Sequence, residues 1–237
     1  MGAEQGAGGA RRSDGAAGPL RGRLTAAAGG KAGRRAMALA ARHPRLWRFV
    51  RGGMRRRFDR AAERWSGISG RIDSPHFAPV RGGLAQLPSG FAPADLADLG
   101  AGTGLLALGL AERFPGARVR GFDLSPGMIA AARRHLETEP WAAALQPRVR
   151  FDVADSSCLP VGAGAFDLVF LSNTPVFFAE VARVLRPGGL VVVSFSHGPR
   201  TPLYLPVDEL RAGLSREGLT VLGRGEAGTG EWLLARR

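Results

Sequence analysis

From Leu96 to Phe195 short apolar runs alternate with longer segments of helical period. Leu96–Leu99, Val119–Phe122, Val149–Val153, Leu168–Leu171 and Leu190–Phe195 read as five strands, with helices near 104–113, 126–137, 176–185 and 207–217 between or after them. Continuous apolar runs, as opposed to a one-in-two alternation, belong to strands covered on both faces. Strand and helix in alternation imply a mostly parallel sheet with helices on both sides. Leu219–Arg224 and Glu231–Ala235 add two strands, and Gly228-Thr229-Gly230 between them signals a hairpin. The expectation is an α/β sheet of seven strands whose C-terminal hairpin carries an antiparallel strand.

Upstream the pattern differs. Trp47, Val50, Met54, Phe58, Ala61 and Trp65 recur at spacings of three and four and share one helical face, while arginines 45, 48, 51, 55, 56, 57, 60 and 64 fill much of the rest. Gly52-Gly53 interrupts the stripe, and two helix-interior glycines cost roughly 2 kcal/mol, so two helices with a bend are expected. Residues 66–93, punctuated by Gly, Ser and Pro, read as a linker with little regular structure. Residues 1–35 hold almost no large apolar side chains and cannot offset an ordering cost of roughly 1–2 kcal/mol per residue. The chain thus divides into a disordered basic tail over 1–35, a helical cap and linker over 36–90, and the α/β domain over 91–237.

Charge sharpens this division. The formal charge of +13 sits entirely in residues 1–90, with 18 basic against 5 acidic side chains; residues 91–237 carry 15 of each. Lys31 is the only lysine. The basic helical face over 42–64 suits either an anionic membrane surface or a phosphate backbone, and a helix that solvates its arginines while packing its aromatic stripe on the main domain is the plain reading. No apolar run reaches the ~18 residues a transmembrane helix needs. The single cysteine, Cys158, and the scattered His43, His76, His135 and His197 give no disulfide framework and no metal-ligand spacing. A cytoplasmic protein is expected; an Arg-rich, acid-poor start also fits an organelle transit peptide, but hydroxyl residues are sparse there.

The chemistry gathers after the first strand. Asp98-Leu99-Gly100-Ala101-Gly102-Thr103-Gly104 closes that strand and opens a helix; glycines allow a tight turn and let backbone N–H groups approach a ligand at the helix N-terminus. Gly121-Phe122-Asp123 ends the second strand with a carboxylate where such folds hold a ribose. Gly102-Thr103-Gly104-Leu105-Leu106-Ala107 also satisfies the dinucleotide pattern G-x-G-x-x-A, but a carboxylate at position 98 would repel a pyrophosphate and attract an ammonium or sulfonium centre. Asp152-Val153-Ala154-Asp155-Ser156, Phe166-Asp167-Leu168-Val169 and Arg186-Pro187-Gly188-Gly189 follow at the later strands.

With these motifs the stretch 91–198 resembles the class I S-adenosylmethionine-dependent methyltransferases, of the broad group that includes the quinone-biosynthesis C-methyltransferases, and a Rossmann-like seven-stranded sheet agrees with that group. The resemblance implies S-adenosyl-L-methionine as cofactor. It implies that the loop Gly100, Ala101, Gly102, Gly104 cradles the methionine part and that Asp98 reaches its ammonium. It further implies Asp123 on the ribose hydroxyls, Leu124 beside the adenine, Asp155 accepting from the adenine amino group with Ser156 next to it, and Ser172-Asn173 lining the methyl-donor side. Asp152 and Asp167 read as structural, and Ser125 as the cap of the helix after strand two.

One departure matters. Between Phe166-Asp167 and Arg186 the group usually carries a longer excursion, and here Ser172-Asn173-Thr174-Pro175-Val176-Phe177-Phe178 runs almost directly into a helix. The N-terminal segment, whose Phe58 to Trp65 stretch resembles an aromatic cap, is the candidate to close the site. A base is needed only for an acceptor that arrives protonated; His197, after strand five, is the candidate, with Tyr204 and His76 behind it, and Ser196-His197-Gly198-Pro199 reads equally well as a loop. The expected acceptor is a small molecule, a phenol, quinone precursor or specialised metabolite. The alternatives are a nucleic-acid methyltransferase using the basic N-terminal region and a cofactor-binding protein without catalysis.

Overall fold

The computed structural model describes residues 44–69 and 71–237, together with Leu39; the basic tail expected over 1–35 lies outside the described residues. The first helix, α1 (Pro44–Ser69), is continuous, where a bend at Gly52-Gly53 was expected. Docking on either side of the glycines outweighs their helix penalty: Trp47 and Ala62 are each 4% exposed, and between them Asp59 accepts from the Ser125 hydroxyl (2.6 Å) and the Gly127 N–H (3.1 Å). This places a carboxylate at the N-terminus of another helix, where the free N–H groups favour it.

The segment expected to be a linker also differs. It forms a 3-10 turn, Pro75–Phe77, and a short helix α2, Ala78–Leu84. Pro75 and Pro79, legible as breakers, stand in the first turns of these elements, where a missing N–H costs nothing. Gly82 and Gly83 let α2 lie close on the sheet: a Cβ at Gly82 would come within 2.5 Å of Trp232 Nε1, and one at Gly83 within 2.6 Å of Val192 Cγ1.

The remaining elements are β1 (Asp95–Leu99), α3 (Leu105–Arg113), β2 (Arg118–Asp123), α4 (Pro126–Thr138), a 3-10 turn Pro140–Leu145, β3 (Val149–Val153), β4 (Phe166–Ser172), α5 (Phe178–Val184), β5 (Leu185–Phe195), a 3-10 turn Gly198–Arg200, α6 (Val207–Arg216), β6 (Thr220–Ala227) and β7 (Gly230–Arg236). The sheet order is β3-β2-β1-β4-β5-β7-β6. β1 to β5 pair in parallel, and β7 runs antiparallel to both β5 and β6. This is the seven-stranded, mostly parallel sheet with a C-terminal hairpin that the hydrophobic pattern predicts.

Two cores sandwich the sheet, and the strands divide their side chains between them by alternation. Leu168, Phe170, Leu190, Val192, Trp232 and Leu234 face one core, with Leu105 to Ala111 of α3 and Ile129 of α4. Val169, Leu171, Val191, Val193, Leu233 and Ala235 face the other, with Phe178 and Val181 of α5 and Leu210 and Leu214 of α6. Leu105 to Ala111 are all buried, as befits a helix that is apolar all round.

Charged side chains pin the opposite end of the sheet from the site. Arg186 bridges Asp167 (2.6 Å) and Asp95 (2.9 Å), Arg118 also holds Asp95 (2.8 Å), and Asp167 accepts from the Ala94 and Asp95 N–H groups. Asp167 is therefore a brace between β4, β5 and the entry to β1. Asp152 pairs with Arg120 at 2.7 Å on the neighbouring strands.

Candidate cofactor and active site

The strand order reverses between β1 and β4, and in an open parallel sheet the crevice at the carboxyl ends of such a pair receives the ligand. The β1 loop and the end of β4 meet there. A cavity there is lined by Asp98, Gly100, Ala101, Gly102, Asp123, Leu124, Ser156, Ser172 and Asn173. Of the residues expected at the site, Gly104, Asp155 and His197 do not line it.

Each position has a local cause. Gly100, Gly102 and Gly104 have φ of 75°, 55° and 80°, a left-handed conformation that only glycine adopts freely. Gly104 caps α3 from behind the cavity, where a Cβ would stand 2.7 Å from Ala132 and Phe151. Gly102 faces the cavity, with Trp65 of α1 at 3.9 Å from the place of its missing Cβ. Its N–H donates to Asp123 Oδ2 (2.9 Å), while the Ser125 N–H donates to Oδ1 (2.8 Å). Asp123 is thus aimed by two backbone amides; burial and the charge of Asp59 push its pKa above the usual carboxylate value, and those amides oppose the rise. The Ser125 hydroxyl caps α4 by accepting from the Met128 N–H at 3.1 Å.

Asp98 is 1% exposed, and its Oδ2 has no hydrogen-bond partner. Burial, then the nearby Asp123 charge, push its pKa up to about 7, against the Ala107 N–H, which lowers it. A buried carboxylate oxygen left without a donor is costly unless a ligand completes it. A cationic donor there would also offset the neighbouring negative charge of Asp123. The Ser172 hydroxyl oxygen, at the end of β4, is also buried without a partner.

Asn173, next in the chain, has φ 56°, a strained value for a non-glycine residue. Its side chain ties the ends of β4 and β5, with Oδ1 accepting from the Ser196 N–H (2.8 Å) and Nδ2 donating to Ser196 Oγ (2.9 Å). The same Nδ2 lies 3.3 Å from His76 Nε2. His76 lines the cavity, and burial, with the nearby His197, lowers its pKa, so its ring is neutral at pH 7. His197 is exposed and pairs through Nδ1 with Thr229 Oγ1 (3.1 Å). The Tyr204 hydroxyl donates to Glu231 (3.1 Å), and burial and that carboxylate push its pKa to about 12; it stays protonated. The histidine that faces the cavity therefore comes from the segment read as linker, which the strand pattern gave no means of placing.

The outer wall is supplied by α1. Trp47, Met54, Phe58 and Trp65 line the cavity together with Phe77, Phe177 and Leu203, and Trp47 meets Phe177 edge-on at 5.1 Å between centroids. Asp155 lies under this wall. Its carboxylate accepts from Trp47 Nε1 (2.8 and 2.9 Å), Arg51 Nη1 (3.0 Å), and the Ser157 N–H (2.9 Å) and hydroxyl (2.7 Å). Burial would raise its pKa, but these donors together hold it below the usual value.

Sheet order, glycine loop and paired carboxylates define an open α/β sheet with a ligand crevice at the carboxyl ends of β1 and β4. Residues 96–189, running from β1 into β5, match the methyltransferase domain family. The chain is 41% identical over 120 residues to a malonyl-(acyl-carrier protein) O-methyltransferase of Hahella chejuensis, which covers 47% of this chain and 39% of that protein. It is 46% identical over 117 residues to a demethylmenaquinone methyltransferase of Thermus thermophilus, 46% of this chain and 50% of that one. The chain thus spans half or less of the length of these two relatives. A methyltransferase of Aquifex aeolicus shares the fold, with TM-score 0.59 at 16% identity over 74% of this chain and 97% of that one. Among the described residues no helix is long and apolar enough to cross a membrane, and no cluster of His, Cys, Asp or Glu is set to hold a metal ion.

Proposed function

We propose that the protein transfers the methyl group of S-adenosyl-L-methionine to a small planar acceptor, a phenol, a quinone precursor or a related specialised metabolite. The observation that carries this reading is the roofed cavity at the β1 and β4 ends, polar on the loop side and aromatic on the other. The residues present suit the cofactor: Asp98 Oδ2 needs a donor, Gly102 leaves room beside it, and Asp123 is held in place by amides. In this reading Asp98 takes the ammonium, Asp123 the ribose hydroxyls, and Gly100, Ala101 and Gly102 the methionine part, with Leu124 and Ser156 beside the base. When bound, the cofactor supplies an electrophilic methyl on a sulfonium.

The chain's own contribution is alignment and exclusion of water. Trp65, Phe58 and Phe177 wall off solvent, and Ser172 and Asn173 line the acceptor side. For an acceptor that arrives as a phenol, the neutral His76 ring, which lines the cavity, takes the proton at Nε2 once that atom is released from the Asn173 amide donor. The outer arginine face of α1 suits an anionic membrane surface, where a lipophilic acceptor would be found. Purified protein given S-adenosyl-L-methionine and a panel of phenols and hydroquinones is expected to release S-adenosylhomocysteine and yield a methylated product. Methylation of RNA or DNA with none of the small molecules turned over would overturn the reading. Asp123→Ala is expected to weaken cofactor binding about tenfold or more by calorimetry, and His76→Gln to lower turnover of phenols while leaving that affinity unchanged.

A further inference from the structure

We propose that α1 is a self-inhibitory plug, in which Trp47 occupies the adenine subsite and must swing out, about Gly52-Gly53, before the cofactor can bind. The proposal rests on the cofactor reading above together with the role that the resemblance implies for Asp155, accepting from the adenine amino group. A carboxylate offers about four lone-pair sites. In the closed structure four donor groups already use them: the Trp47 indole N–H, the Arg51 guanidinium, and the N–H and hydroxyl of Ser157. No site is left for a further amino group until α1 withdraws its two donors.

The indole matches the group it would displace. It is a flat bicyclic ring with one N–H pointed at the carboxylate, only 4% exposed, set edge-on to Phe177 at 5.1 Å between centroids and packed with Leu124. The rest of α1 is anchored separately, by Asp59 on the N-terminus of α4 and by the buried Ala62. Gly52 and Gly53 lie between plug and anchor. A Cβ at either would meet nothing within 4 Å, so packing does not require glycine there. Two consecutive glycines weaken the helix by making its backbone easier to unwind, which lets the first two turns move while the anchor stays.

The two halves of the proposal give opposite signs. Trp47→Phe removes the N–H but keeps an aromatic ring, and is expected to tighten S-adenosylhomocysteine binding about five- to tenfold by calorimetry and to speed association, because more of the protein is open. Arg51→Gln, at a half-exposed side chain, is expected to tighten it about twofold or more; it decides the matter if Trp47→Phe does not fold. The double variant Gly52→Ala, Gly53→Ala stiffens the closed helix and is expected to weaken binding about threefold or more. Unchanged or weaker binding in both Trp47→Phe and Arg51→Gln, while Asp123→Ala weakens it about tenfold or more, overturns the plug and leaves the cofactor reading standing. Opposite shifts in those two variants also overturn the plug. No binding by the unaltered protein or any variant overturns the cofactor reading, and the plug with it.

Discussion

Asp98 carries a conflict between stability and binding. A buried carboxyl whose folded pKa is about 7 binds its proton more tightly folded than unfolded. Its contribution to stability is therefore fully present below the unfolded carboxylate range near pH 4 and is lost as pH rises toward 7. Asp98→Asn removes that ionisation while keeping an oxygen for the Ala107 N–H, so at pH 8 it is expected to stabilise the fold by roughly 1–3 kcal/mol in denaturant unfolding. The same change removes the counter-charge for an ammonium group. In the unaltered protein S-adenosylhomocysteine affinity is expected to rise between pH 6 and 8 as Asp98 ionises, and calorimetry should find that rise absent in Asp98→Asn. The presence of an acid at 98 and 123 was legible because both close strands whose apolar runs are clear. That Asp155 would be sealed by Trp47 was not, since 108 residues separate the pair and nothing in the spacing fixes where α1 docks. The placement of His197 has a related cause: its place after β5 was legible, but its exposed orientation toward Thr229 depends on the β6–β7 turn.

Glycine and proline show where element reading succeeds and fails. Gly100, Gly102, Gly104 and the Gly228 turn sit at positive φ, and each was recognised as a turn because strand-like or helical runs flank it. Gly82 and Gly83 sit inside a helix and serve close packing, which sequence punctuation does not distinguish from a linker. Gly83→Ala would put a methyl 2.6 Å from Val192 Cγ1 in the core, and overpacking of this kind is expected to cost about 1–3 kcal/mol, visible as a lower denaturant midpoint with unchanged slope. The continuity of α1 has the same lesson in reverse. Its glycines were read as a break from local propensity, whereas contacts at Trp47, Asp59 and Ala62 hold the helix together across them. Propensity sets how readily the helix opens there, and tertiary contact sets that it is closed.

At the scale of the whole molecule the question is what the localised positive charge does. The α/β domain carries no net charge, so the net attraction to an anionic partner comes from the N-terminal residues. On α1 the side away from the cavity exposes Arg56, Arg57, Arg60 and Arg64, none of which has an ion pair among the described residues. At its N-terminal end Leu46 is 41% and Phe49 81% exposed. A nucleic-acid duplex would reward the arginines alone. An anionic bilayer rewards both: about 1 kcal/mol per arginine near the surface, and burial of the Phe49 ring in the interface. The protein is therefore expected to float with vesicles containing phosphatidylglycerol and not with phosphatidylcholine alone. Binding should fall steeply as salt shortens the screening length from roughly 10 Å at 0.1 M. Phe49→Ala should weaken it severalfold, because the ring adds a term that salt does not screen. Duplex DNA binding insensitive to Phe49→Ala, with no flotation, would assign the arginine face to phosphate contacts. Phe49 stands two residues from Trp47 on the outer side of the same turns, so a surface that captures Phe49 pulls on the segment closing Asp155. If the plug and the bilayer contact both hold, anionic vesicles should raise S-adenosylhomocysteine affinity in the unaltered protein and raise it less in Trp47→Phe, whose plug is already weakened.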